Sequence, residues 1–110
     1  MKVNILGTEY LVERRAESQD AALKECGGYC DETAKACIIK DYLESEREVM
    51  DKKNMELQLR KNTRHEIIHA FLFESGLGED SDWALTEEMV DWFARQFPKL
   101  LKAFQDANAM

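Results

Sequence analysis

The run Arg64-His65-Glu66-Ile67-Ile68-His69-Ala70-Phe71-Leu72 holds both histidines of this 110-residue chain and contains neither glycine nor proline. An unbroken, apolar-rich run of this kind predicts a helix. On a helix, residues four apart stand one turn above each other, so His65 and His69 share a face with Glu66 on its adjacent edge. No other feature constrains the fold as tightly, because here a chemical group is tied to a secondary structure. Two imidazoles at this HExxH spacing can grip one zinc ion, and the neighbouring carboxylate can act as a base toward a water held there.

A zinc ion that works on water needs a third protein ligand and an open fourth position. Downstream, a loop at Gly76-Leu77-Gly78-Glu79-Asp80-Ser81-Asp82 precedes Thr86-Glu87-Glu88-Met89-Val90-Asp91-Trp92-Phe93-Ala94. Val90, Phe93, Ala94, Phe97, Leu101 and Phe104 recur at helical spacing and predict a second amphipathic helix. Thr86 is its expected N-cap, with Glu87 and Glu88 in the first turn, where the helix dipole favours acids. Glu87 and Asp91 are four apart and share a face. Glu87 can therefore supply the third ligand, and Asp91 can accept the free ring N–H of a ligating histidine and fix its tautomer. Glu88 is the alternative third ligand, because helix phase is loose at a helix start. The competing explanation makes these residues capping acids and a solvated aspartate, and it leaves unexplained why the apolar stripe runs beside Glu87 and Asp91.

His65-Glu66-x-x-His69 followed by Glu87-x-x-x-Asp91 resembles the HExxH…ExxxD pattern of the gluzincin metallopeptidases. The segment Glu87-x-x-Val90-Asp91-x-Phe93-Ala94 looks like the E-x-x-A-N-x-F-A helix of ImmA/IrrE-type peptidases, compact zincins often encoded by mobile elements and phages. The stretch Leu59–Leu77 is similar to small prophage-encoded zinc-peptidase-like proteins. The resemblance runs from about Leu59 to Pro98, under half of the chain, and departs from the pattern at Val90 for Ala and Asp91 for Asn. Neither departure removes a ligand. The resemblance implies one zinc per chain on His65, His69 and Glu87, with Glu66 as the catalytic carboxylate and Asp91 behind a ligand.

The rest of the chain reads as scaffold. Val3–Leu6 and Glu9–Arg14, split by Gly7-Thr8, predict a hairpin; Tyr29–Asp31 and Lys35–Lys40 predict a second, with Gly27-Gly28 as a turn before it. Ala16–Lys24 is expected as a strand extension or a short helix. From about Ser45 or Asp51 the pattern is helical up to Gly76, which suits a helix C-terminus. Pro98 is expected to kink the last helix or to begin its final segment. The expected fold is α+β, a minimal zincin-like domain over residues 1–110. A small antiparallel sheet of two hairpins (1–43) precedes the HExxH helix (45–76) and the third-ligand helix (83–106). Zincins commonly bind an extended substrate along a sheet edge, and by that analogy Cys37–Lys40 is the expected edge.

A net charge of −7 excludes the basic footprint of nucleic-acid binding and any attraction to anionic membranes. No apolar run approaches membrane length and the first residues are too polar for a signal sequence, so a cytoplasmic protein is expected. Cys26, Cys30 and Cys37 are odd in number and match no common zinc or redox spacing. Cys37 is expected as a buried thiol. Tyr29, Tyr42 and Arg64 are possible donors to a developing oxyanion, and none is assigned. The expected activity is zinc-dependent hydrolysis of protein or peptide substrates; a monomer is compatible with the sequence, which does not name the oligomeric state. The alternative is an inactive zincin-fold binding protein that keeps a structural zinc and works through a protein partner.

Overall fold

The computed structural model describes residues 1–43, 47–49 and 51–110. Strands β1 (Lys2–Ile5) and β2 (Thr8–Ala16) form the first expected hairpin, antiparallel with Ile5 opposite Thr8. Leu6 and Gly7 in its loop have φ of 49° and 91°. Positive φ at both central residues matches the right-handed twist of the strands, and Gly7 adopts it without a steric penalty. Asn4 Oδ1 accepts the Gly7 N–H at 2.9 Å and holds the turn. Strands β3 (Gly28–Asp31) and β4 (Ala36–Asp41) form the second hairpin, also antiparallel. Its turn is organised by Asp31, whose side chain accepts the N–H groups of Thr33 and Ala34. Between the hairpins, Glu17–Gln19 and Ala21–Lys24 are two short 3₁₀ turns that seat Leu23 in the core.

The strand order is β1-β2-β4-β3. The sheet expected to be antiparallel is mixed, because β2 and β4 pair in parallel from Leu11 opposite Ala36 to Ala16 opposite Asp41. The reason lies in β4: Cys37, Ile38 and Ile39 are successive and all fully buried. Successive residues point to opposite faces, so this strand needs cover on both sides, and an interior position supplies it. Cys37–Lys40 is therefore not the edge expected from its sequence but an inner strand. The free edge at this end of the sheet is β3.

Helix α1 spans Met55–Glu74, a later start than expected. Ser45 lies outside the described residues, and the described residues from Asp51 to Asn54 are not helical. Asn54 sets the start by accepting the Leu57 N–H on its side chain at 3.2 Å. At the other end Gly76 adopts φ 86° and closes the helix. A four-residue helix α2 (Leu77–Asp80) lies within the expected loop, and α3 runs Glu87–Asp106 rather than from residue 83. Thr86 stands at the N-cap position, but its hydroxyl donates back to the Asp82 carbonyl at 2.9 Å instead of capping.

Pro98 lies inside α3 and begins no new segment. Lacking an N–H, it leaves the Ala94 carbonyl without its in-helix donor. Arg64 Nε donates to that carbonyl at 2.6 Å and joins α3 to the turn that carries His65.

The stripe of α1 that faces the sheet is Met55, Leu59, Asn62, Glu66 and Ala70, all buried. Met55 and Leu59 pack on Ile39, while Ala70 packs on Ile5, Tyr10 and Cys37. Leu72 meets Ala84 and Val90 and so joins α1 to α3. The apolar stripe of α3 is fully buried at Val90 and Ala94, but Phe97 and Phe104 are 48% and 44% exposed. Helix α3 runs back along α1, from Glu87 near His69 to Ala94 near Arg64. The described residues between 47 and 54 form no helix to cover its later turns. Among the described residues no helix is long and apolar enough to cross a membrane.

Candidate metal centre

His65 and His69 leave α1 on one side, as their spacing requires, and both rings are mostly buried. Their Nε2 atoms lie 3.2 Å apart. Glu87, in the first turn of α3, places Oε2 at 2.9 Å from His65 Nε2 and Oε1 at 2.9 Å from His69 Nε2. These three residues could hold a metal ion, with their ligand atoms within 4.8 Å of one another. Ligands about 2.0–2.2 Å from a tetrahedral ion sit roughly 3.2–3.6 Å from each other, so the cluster needs only a small expansion to admit one. Each contact is also of hydrogen-bond length, so protons and a metal ion compete for the same atoms.

The donor set passes a second test of fit. Asp91 Oδ1 lies 3.3 Å from His65 Nδ1, placed to accept the ring N–H in the tautomer that turns the Nε2 lone pair toward the cluster. Asp91 is itself held by Lys61 at 3.2 Å and Arg95 at 2.6 Å. Burial works to raise its carboxyl, but the bonds and charges of Arg95 and Lys61 outweigh this and hold it at about 2. It is thus a permanent anion. Burial lowers the His69 imidazole below its ordinary value, opposed by the Glu87 carboxylate, which favours the neutral ring that a metal requires.

Glu66 behaves differently from the other acids. It points to the sheet side of α1, is only 7% exposed, and accepts no hydrogen bond on its carboxylate among the described residues. Burial pushes its carboxyl up to about 7; Glu87 adds to the rise, and His65 and Lys61 oppose it. A cation bound alongside would pull that value down and return Glu66 to its charged, basic form. The Glu66 backbone carbonyl accepts from the Cys37 thiol at 3.4 Å, which anchors this turn of α1 to β4.

These groups line one cleft of about 510 Å³ between α1, α3 and the start of β3. Gly28 lets β3 pass over the motif, since a Cβ there would stand 2.9 Å from the Ile38 carbonyl and 3.3 Å from Glu66 Cγ. Of the residues expected here, His65, His69, Glu66, Glu87 and Asp91 all meet in the cleft. Glu88 does not; it lines a separate groove with Thr86, Met89 and Trp92. Arg64 is committed to Ala94, and the Tyr29 hydroxyl donates to Asp20. Cys26 lines the cleft, but its thiol donates to the Ala22 carbonyl. Cys30 faces Cys37 across the hairpin. Among the described residues all three cysteines are free thiols and none joins the metal-binding group.

No family model matches this chain, and comparison with curated proteins and with solved structures found no significant match.

Sequence reasoning overlooked the cleft floor. Gln58, Lys61 and Asn62 line it one and two turns before His65. Their seven-, four- and three-residue spacing from His65 was the available signal. Chemically, the cleft brings together three residues that could hold a cation, a buried carboxylate next to them, and a strand edge along its rim.

Proposed function

We propose that this chain is a zinc-dependent metallopeptidase of gluzincin type that hydrolyses peptide bonds. The observation that carries the proposal is Glu66: a buried carboxylate with no hydrogen bond among the described residues, in the same cleft as His65, His69 and Glu87. An unpaired buried acid is costly to keep, and a purely structural metal site has no use for it. Two imidazole nitrogens and one carboxylate oxygen with an open side are the donor set of catalytic zinc. Zinc, if held by His65, His69 and Glu87, would supply an acidified water near neutral pH and polarise a carbonyl. Glu66 takes a proton from the attacking water and passes it to the leaving amide nitrogen. Asp91 keeps His65 in its ligating tautomer. An extended substrate adds to the free edge of β3, with Gly28 leaving the approach to Glu66 unobstructed. Three free thiols suit a reducing, cytoplasmic setting.

A second reading, an inactive zincin-fold binding protein with a structural zinc, draws support from one observation. Of the three possible oxyanion donors, none of them assigned from the sequence, Arg64 and Tyr29 are spent on other partners. Metal analysis of the purified chain, paired with hydrolysis of unfolded protein substrates, separates the two. The first reading expects one zinc per chain and turnover that falls by roughly 10²–10⁴ in Glu66→Gln with zinc retained. Zinc retained with equal hydrolysis in both proteins removes Glu66 from its role, and zinc without any hydrolysis selects the binding protein.

A further inference from the structure

We infer that the cleft contains a second binding element, a carbonyl-binding subsite made by Asn62 and Tyr42 and opened by Gly27, which holds the main chain of an extended peptide about two residues from the metal. Asn62 lies one turn before Glu66 on the sheet-facing stripe of α1 and is 7% exposed. Its Oδ1 accepts from Gln58 Nε2 at 3.2 Å, which fixes the orientation of the amide. The Nδ2 amide group has no acceptor among the described residues, although Asn62 lines the cleft. A buried donor without an acceptor requires a partner from outside the fold.

Gly27 leaves the space that such a partner would fill. A Cβ at this position would stand 2.7 Å from Asn62 Nδ2 and 3.6 Å from the Tyr42 hydroxyl, so any side chain would plug the gap between the two donors. The Tyr42 hydroxyl has no hydrogen bond among the described residues, while its ring is fixed by packing on the Ile39, Met55 and Leu59 cluster. The Lys40 ammonium lies 4.8 Å from the ring centre and steadies it further.

The chemistry of the donors names the ligand class. An amide N–H₂ and a phenol O–H both donate and carry no charge, so they call for an oxygen acceptor. An anionic acceptor is disfavoured, because Glu66, Glu87 and Asp91 share the cleft, and both described lysines nearby are paired, Lys61 with Asp91 at 3.2 Å and Lys40 with Glu17 at 2.9 Å. A neutral amide carbonyl remains. One helical turn rises about 5.4 Å, and same-side carbonyls of an extended chain recur about every 6.7 Å, so a chain reaching from Glu66 to Asn62 spans two residues. The subsite rests on the peptide-binding part of the proposed function but not on turnover.

The probe is N-acetyl-tetraalanine N-methylamide, titrated at millimolar concentration into the ¹⁵N-labelled full chain with chelator present. The Asn62 side-chain amide pair, assigned by its loss in Asn62→Asp, is expected to shift on binding. Asn62→Asp and Gly27→Ala should each weaken the dissociation constant by roughly ten- to a hundredfold, and Tyr42→Phe by roughly three- to tenfold. Tyr42→Phe keeps the ring packing, so it reports even if Asn62→Asp is poorly folded. An Asn62 pair that stays fixed while other cleft resonances move, with unchanged affinity in the variants, overturns the subsite. So does the absence of any shift. Hydrolysis by the wild type with an unmoved Asn62 leaves the metallopeptidase standing and removes only the subsite; a shifted Asn62 without hydrolysis does the reverse.

Discussion

The two helices contribute to the candidate centre in opposite ways. Helix α1 brings His65, His69 and Glu66, all mostly or fully buried between the sheet and α3, whereas Glu87 from α3 is 69% exposed. Burial on α1 fixes rotamers and orders the three groups before any ion arrives. On α3 the order comes from polar contacts: Asp91 is tied to Lys61, Arg95 and His65, and among the described residues Glu87 pairs with the two rings. One side of the site is built by packing and the other by charge. The packed side should resist salt and solvent change, and the charged side should feel both.

The sharpest test of this contrast removes the packed ligands. His65→Ala with His69→Ala should abolish stoichiometric metal, read by elemental analysis of the purified chain; metal content equal to wild type would break the assignment. The next effect concerns Glu66 in the metal-free protein. Its carboxyl stays protonated up to about pH 7, while an unfolded glutamate releases its proton near about 4.3. Between those values Glu66 keeps its proton in the native state and loses it in the unfolded one, so its contribution to stability falls as pH rises. The loss by about pH 8 is about 3 kcal/mol, and Glu66→Gln should not show it. Urea unfolding of both proteins with chelator at about pH 5 and about pH 8 measures the difference; parallel pH profiles would show that Glu66 is not buried as described.

Smaller effects belong to the charged side. Asp91→Ala leaves the ligands in place but frees the His65 ring, so zinc titration should give an affinity weaker by roughly ten- to a hundredfold. Added salt should reproduce part of that loss in the wild type. Glu88→Ala should be the quietest change, within a few-fold of wild type, while Glu87→Ala should lose tight binding. A reversed order for the two glutamates would place the start of α3 one residue out of phase.

Most of the site was legible because its residues are local. His65, Glu66 and His69 share one helix, and Glu87 and Asp91 share another, so helical spacing alone places each set on a face. Both hairpins were legible for the same reason. The parallel pairing of β2 with β4 was not, since alternation within a strand does not name its neighbour. The run Cys37-Ile38-Ile39 did carry a clue, because continuous apolar residues mark a strand buried on both faces rather than an edge. The late start of α1 was encoded at Asn54, a capping residue standing before Met55. Asn62 offered only its three-residue spacing from His65: a polar residue on a helix otherwise reads as solvent-facing until the sheet is seen to lie over it.

Pro98 and Arg64 constrain the order in which this sequence can change. The proline orphans the Ala94 carbonyl and the guanidinium satisfies it, 30 positions away and next to His65. Losing Arg64 first would strand a partly buried acceptor beside α1, at a cost of about 1–3 kcal/mol. Replacing Pro98 first would restore the in-helix donor and make the guanidinium dispensable. A double-mutant cycle of Arg64→Met and Pro98→Ala should therefore be strongly non-additive. Only one of the two mutational paths between these states stays folded throughout at full stability, and it is the one that gives up the proline before the arginine.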